Sequence, residues 1–144
     1  MVPRDYRVRR EPGATHLERD TSMAHILVID DEPLVRELLK ALLESAGHQV
    51  TVAADGDAGI AEYRRRPADL VLTDLIMPGK EGIETIRELV QGYPGIKIIA
   101  ISGGGRLDPH GYLGLAHKLG AARTLAKPFE RRELLDTVAE LLAE

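Results

Sequence analysis

The chain contains no cysteine, which excludes disulfides, thiolate nucleophiles and zinc–thiolate centres and fits a reducing cytosol. It has no large excess of either charge: a formal net charge of -4 at pH 7 gives no electrostatic basis for holding nucleic acid or an anionic membrane. Nor does it have an apolar run approaching the ~20 residues that a membrane-spanning helix needs. Its 144 residues suffice for one domain with a proper core and not for two. These absences set the expectation of a soluble, cytoplasmic, single-domain protein with neither a nucleic-acid nor a membrane partner.

Residues 1 to 22 differ from the rest. Arg4, Arg7, Arg9, Arg10 and Arg19 are interleaved with Asp5, Glu11, Glu18 and Asp20, with few large apolar side chains among them. Such a segment buries too little surface to offset its ordering entropy, so a disordered tail is expected there, with the folded domain over residues 23–144. The tail lacks the apolar core of a secretory signal, and its acidic residues argue against a transit peptide. Met23 stands directly before the first strand-like run, so an over-extended reading frame is a second explanation of the segment.

What the chain does have is a set of short apolar runs that each end on a polar residue. Leu70-Val71-Leu72-Thr73-Asp74 is followed by Leu75-Ile76-Met77-Pro78-Gly79, the pattern of a strand buried on both faces that gives way to a loop. His25-Ile26-Leu27-Val28-Ile29 ends on Asp30-Asp31, after which Pro33 opens a helix with Val35, Leu38, Leu39, Leu42 and Ala46 at helical spacing and Gly47 as its stop. Gln49 to Ala53 is a shorter strand, and a weak helix runs from about Ala58 to Arg65. Ile83, Ile86, Leu89 and Val90 mark a third helix ended by Gly92. Ile96 to Ile101 is the fourth strand and delivers Ser102. The least regular segment, Gly103 to Gly120, holds a short helix at most. Arg123 to Ala126 is the fifth strand, ending at Lys127-Pro128, and Leu134, Leu135, Val138, Leu141 and Leu142 mark the last helix.

This alternation implies an α/β fold, a parallel sheet with helices on both faces. Right-handed crossovers place every strand's carboxyl end on one edge, where ligands bind in open α/β sheets. Asp30, Asp31, Asp74, Ser102 and Lys127 should therefore converge on one rim. Three carboxylates crowded together repel one another, and a hard divalent cation such as Mg²⁺ resolves the repulsion. An ammonium and a hydroxyl beside them suit the oxygens of a phosphoryl group, and Asp is a competent nucleophile toward phosphorus. Each residue also has an ordinary reading: Asp30 or Asp31 as a helix cap, Asp74 or Ser102 as a turn residue, Lys127 as a solvated lysine. Singly those readings hold; together they leave the convergence unexplained. The triple glycine at 103–105 is not followed by Gly-Lys-Ser/Thr, so it reads as a loop and not a phosphate cradle. The histidines show no ligand spacing.

These residues resemble the receiver domain of two-component response regulators. The resemblance spans residues 24 to 144 and rests on Val28-Ile29-Asp30-Asp31-Glu32, Thr73 to Gly79, Ile101-Ser102-Gly103 and Ala126-Lys127-Pro128-Phe129. It implies a flavodoxin-like five-stranded sheet in the order 2-1-3-4-5. It also implies Asp74 as phosphoacceptor; Mg²⁺ held by Asp31, Asp74 and the backbone carbonyl of Ile76, with Asp30 on a metal-bound water; Ser102 and Lys127 on the phosphoryl oxygens; and a cis Lys127–Pro128 bond. The protein would then be a signalling domain and not an enzyme, although it takes part in its own phosphorylation and dephosphorylation. Its phosphate would come from a sensor histidine kinase or phosphotransfer protein. As no output domain follows the last helix, the expectation is a stand-alone receiver whose downstream partner is another protein.

Three departures from the family pattern stand out. Thr124 occupies a place usually held by an aromatic residue. Ile76 and Gly104 fill the two positions that tune phosphoryl lifetime, and neither side chain can assist a water. The stretch between Ser102 and Lys127 is a few residues longer than the family's usual length. Two rivals follow: an unphosphorylated docking module on the same fold, and a metal-dependent phosphatase with an aspartyl nucleophile. The second wants an acidic residue where Ile76 stands.

Overall fold

Apolar runs without polar alternation form strands when both of their faces are covered, and that is how they are used here. In a computed structural model describing residues 23–77, 82–103 and 111–144, the elements are β1 (His25–Ile29), α1 (Pro33–Ser45), β2 (Gln49–Ala53), α2 (Gly56–Arg65), β3 (Leu70–Asp74), α3 (Gly82–Gly92), β4 (Ile98–Gly103), α4 (Tyr112–Leu119), β5 (Arg123–Lys127) and α5 (Arg131–Ala143). All strand pairs are parallel and the sheet order is β2-β1-β3-β4-β5, as expected. The tail over residues 1–22, the Pro78-Gly79 break, Gly104 and most of the irregular stretch before α4 lie outside the described residues.

The two sheet faces have separate cores. Leu27, Ile29, Val71, Ile98 and Ala100 pack with Ile60 and Tyr63 of α2, Ile86 and Leu89 of α3, and Ala116 of α4. Ile26, Val28, Leu70, Leu72, Ile99 and Ile101 face Leu39 and Leu43 of α1 and Leu134, Val138 and Leu141 of α5. Successive residues of β1, β3 and β4 thus alternate between the two cores, which is why the runs are continuous in sequence. Helices α1 and α5 share one face, and α2, α3 and α4 share the other.

Several boundaries and one core residue differ from the sequence reading. Leu38 is 58% exposed, beside Leu34 one turn earlier at 85%, while Leu39 and Leu43 carry the contact with the sheet. At 100° per residue Leu38 and Leu39 cannot both point at the same surface, and the sheet takes Leu39. Helix α2 begins at Gly56, ahead of Ala58, because the Asp55 carboxylate accepts the Ala58 N–H at 2.7 Å, an N-cap that apolar spacing does not reveal. Strand β4 starts at Ile98 and includes Ser102, and β5 includes Lys127. Lys97, just before β4, instead donates from Nζ to the carbonyls of Leu141 and Glu144 at 3.0 and 2.9 Å, closing the carboxyl end of α5. Lys127–Pro128 is cis.

At the amino-terminal edge of the sheet, away from the convergent rim, His25 is enclosed. Its backbone N–H donates to Asp69 Oδ2 at 2.8 Å, and its ring lies 2.8 Å from Thr51 Oγ1 through Nε2 and 3.4 Å from the Pro67 carbonyl through Nδ1. Both contacts suit the neutral ring with Nδ1–H donating to the carbonyl. Burial, with Arg66 adding to it, holds the imidazole below its ordinary value of 6.5. Below that value the unfolded chain binds the proton more readily than the folded one. Stability is therefore lost as pH falls through about 6.5, at no more than about 1.4 kcal/mol per pH unit. Urea titrations of the wild type and His25→Gln should show the wild type losing ground to the variant between pH 7.5 and 5.5. A constant difference would remove His25 as the cause.

Candidate functional site

The topology delivers the expected convergence. β1 runs out into Asp30 and Asp31, β3 ends on Asp74, and β5 ends on Lys127, all at the carboxyl edge. Ser102 follows Ile101, the register partner of Asp74, on the neighbouring strand, and is 3% exposed. Carboxylate oxygens of Asp30, Asp31 and Asp74 lie within 4.8 Å of one another. Lys127 Nζ is 3.4 Å from Asp74 Oδ1. Ile76, two residues past Asp74, is 51% exposed between the buried side chains of Leu75 and Met77, so the loop is pinned in the core on either side of it.

The electrostatics are those of a site built for a cation. Burial pushes the Asp74 carboxyl up from 3.8 to about 6, with the neighbouring Asp30 adding to the rise and Lys127 and the Leu75 N–H opposing it. Asp30 is also raised, by burial first and by Asp31, against the pull of the Glu32 N–H and Lys127. One ammonium against three carboxylates leaves the cluster short of positive charge. Oxygen donors at this separation, with negative charge in excess, fit a hard divalent ion such as Mg²⁺ better than a thiophilic one. The cluster could hold such a metal.

Asp30 has a structural contact besides: its Oδ1 accepts the Glu32 N–H at 2.9 Å, an Asx turn ahead of α1 and not a helix cap, since the N-cap residue is Glu32 and no side chain caps it. One carboxylate serves both purposes because it has lone pairs for both.

Two supporting residues escaped the sequence reading. Arg36 Nη1 donates to the Asp30 carbonyl at 2.8 Å, tying α1 to the loop that carries Asp30 and Asp31. The available signal was its place in the first turns of a helix, where the macrodipole disfavours a cation unless something else holds it. Thr73 is fully buried and its Oγ1 donates to the Asp74 carbonyl at 3.0 Å; a threonine in an apolar strand gives no signal of that kind. Arg36→Ala should cost about 1.5 kcal/mol in urea denaturation, the low end for a hydrogen bond from a charged group at a half-buried site. The loss should appear with a weaker Mg²⁺ response than that of wild type. An unchanged unfolding midpoint would show that the contact contributes nothing.

A doubly wound parallel sheet with acidic groups and a lysine gathered on its carboxyl edge defines a class of phosphoryl-handling and metal-binding α/β domains. The model of the response regulator receiver domain matches residues 26–139, and the chain belongs to that family, the receiving domain of two-component systems. The transcriptional regulatory protein CpxR of Klebsiella pneumoniae is 40% identical over 120 residues, which is 83% of this chain and 50% of CpxR. Protein PilH of Pseudomonas aeruginosa is 35% identical over 123 residues, covering 84% of this chain and 99% of PilH. The chain thus spans about half of the one relative and nearly all of the other. Among solved structures, a response regulator receiver domain protein from Clostridium thermocellum superposes with a TM-score of 0.75 at 33% identity, covering 83% of this chain and 94% of that one. The chemotaxis response regulator CheY4 of Vibrio cholerae does so with a TM-score of 0.74 at 26% identity, covering 83% and 99%. Among the described residues no helix is long and apolar enough to cross a membrane.

Proposed function

We propose that the chain is a stand-alone receiver in which Asp74 accepts a phosphoryl group from the phosphohistidine of a sensor histidine kinase or phosphotransfer protein and which signals by contact with another protein. The observation that carries this reading is the buried Asp74 carboxylate with Asp30 and Asp31 beside it and Lys127 Nζ at 3.4 Å. Asp74 Oδ attacks phosphorus; the new O–P bond forms as the N–P bond to the donor imidazole breaks, and the bonding pair leaves with the ring nitrogen. Bound Mg²⁺ would neutralise charge on the phosphoryl oxygens, with Asp31, Asp74 and the Ile76 carbonyl as ligands and Asp30 on a metal-bound water. Lys127 holds a phosphoryl oxygen from the other side, and its ammonium balances the charge that Asp74 gives up. Ser102 donates its hydroxyl to a further oxygen. Residues 23–144 constitute the receiver, with 1–22 a tail outside it. The match to nearly the whole of PilH supports the stand-alone reading.

A docking module that never takes phosphate is the second reading. It is favoured by Thr124, which lies exposed on the outer strand β5 with no ring to report events at Ser102. Incubation with Mg²⁺ and a small acyl phosphate donor, followed by intact-mass analysis, separates the two. An acid-stable, base-labile adduct of one phosphoryl group is expected in the wild type and not in Asp74→Asn. A wild type that is folded, binds Mg²⁺ and gains no mass is a docking module.

A further inference from the structure

Helix α3 approaches the end of β3 more closely than any side chain would permit. A Cβ placed on Gly82, the first residue of α3, would lie 2.2 Å from the Asp74 carbonyl oxygen, 2.6 Å from the Leu75 Cα and 3.0 Å from the Asp74 carbonyl carbon. All three are backbone atoms, so no flexible side-chain tip can swing aside. The Gly82 N–H donates to the Leu75 carbonyl at 2.9 Å. The Asp74 carbonyl oxygen that Gly82 abuts is also the acceptor of the Thr73 hydroxyl at 3.0 Å. Leu75 in turn donates its N–H to the Ile101 carbonyl at 3.0 Å. The peptide joining Asp74 to Leu75 is therefore held at both of its ends.

We propose that Gly82, with Thr73, positions the phosphoacceptor: the close seat of α3 on the Asp74–Leu75 peptide sets the direction in which the Asp74 carboxylate leaves the sheet. This rests on the receiver reading above. Adding a methyl group at residue 82 would require the contact to open by about 1 Å before it became ordinary. Helix α3 cannot readily back away, because Ile86 and Leu89 are fully buried in the core beneath it and withdrawal would open a void there. The displacement falls instead on the single peptide at the rim. It turns Asp74 relative to Asp30, Asp31 and Lys127, and a misplacement of about 1 Å in a reacting group costs on the order of a hundredfold in rate.

The test sets Gly82→Ala against Gly120→Ala. Gly120 closes α4 near the amino-terminal edge of the sheet with φ at +123°, and a Cβ there would meet Val90 Cγ2 at 2.9 Å. That substitution strains the fold without reaching the rim. Both variants should lose stability. Gly82→Ala alone should weaken Mg²⁺ binding, followed by backbone amide shifts, about tenfold, and slow adduct formation with a small acyl phosphate about a hundredfold. Thr73→Val, which removes the hydroxyl without adding bulk, should move both readouts the same way by a smaller factor, and it decides the matter if Gly82→Ala fails to fold. A folded Gly82→Ala with wild-type Mg²⁺ affinity and rate overturns the proposal, as does a Thr73→Val that matches wild type when Gly82→Ala cannot be measured. A wild type that neither binds Mg²⁺ nor gains the adduct defeats the receiver reading itself, which keeps the two failures distinct.

Discussion

Asp74→Asn is expected to melt about 4 °C higher than the wild type in metal-free buffer at pH 7.5 while failing to gain the phosphoryl adduct. The reason lies in the carboxyl that burial pushes from 3.8 up to about 6. Keeping it ionised at neutral pH costs on the order of 3 kcal/mol. That figure already includes the opposing pull of Lys127 and the Leu75 N–H; asparagine removes the cost but leaves a buried amide whose incompletely met hydrogen bonds cost about 2 kcal/mol. The net gain is therefore closer to ~1 kcal/mol, and each kcal/mol moves the midpoint of a domain of this size by roughly 4 °C. The pH dependence carries the same signature. A carboxyl whose folded value lies above its unfolded one stabilises the fold fully below about pH 4, and that contribution is lost as pH rises through about 6. Metal-free wild type should thus lose ground to Asp74→Asn as pH rises over that window, the opposite contribution of His25 being common to both. An Asp74→Asn protein no more stable than wild type in EDTA would show that Asp74 is not under electrostatic load. Load of that kind is the form a stability–activity trade-off takes at a charged site.

Addition of Mg²⁺ should reverse the ranking. A ligand that binds the folded carboxylate cluster and not the unfolded chain stabilises by about 2.7 kcal/mol at a hundredfold excess over its dissociation constant, or about 10 °C in midpoint. Wild type should then melt above Asp74→Asn, which has lost a ligand. Asp31→Ala should lose most of the shift, because Asp31 belongs to the cluster; it is a better choice than Asp30, whose bond from the Glu32 N–H would confuse metal loss with loss of that turn. Melting curves in EDTA and in saturating Mg²⁺ for the three proteins provide the check. Identical midpoints for folded wild type in the two buffers would mean that the cluster does not hold the ion. Wild type staying below Asp74→Asn in Mg²⁺ would mean that the ion binds without engaging Asp74.

The convergence of Asp30, Asp31, Asp74, Ser102 and Lys127 was legible because each ends an apolar run or follows it directly. Runs of that kind leave one topology, parallel strands with their carboxyl ends on a common edge. Helical spacing located α1 without saying which of Leu38 and Leu39 meets the sheet, since adjacent residues differ by only 100° and both are leucine. The Asp55 cap of α2 went unread because capping is a single local hydrogen bond with no periodicity.

By itself the sequence determined the order of elements, the rim and the identity of the charged groups on it, because these follow from strand length, hydrophobic period and the handedness of crossovers. Only the tertiary structure decided how those groups are poised. The raised Asp74 carboxyl depends on burial beneath neighbours remote in sequence, the Arg36 contact depends on how α1 lies over the end of β1, and the role proposed for Gly82 depends on a helix start seated so near the end of β3 that an added Cβ would lie 2.2 Å from the Asp74 carbonyl oxygen. Dielectric, distance and excluded volume are properties of the assembled chain, and no residue carries them alone.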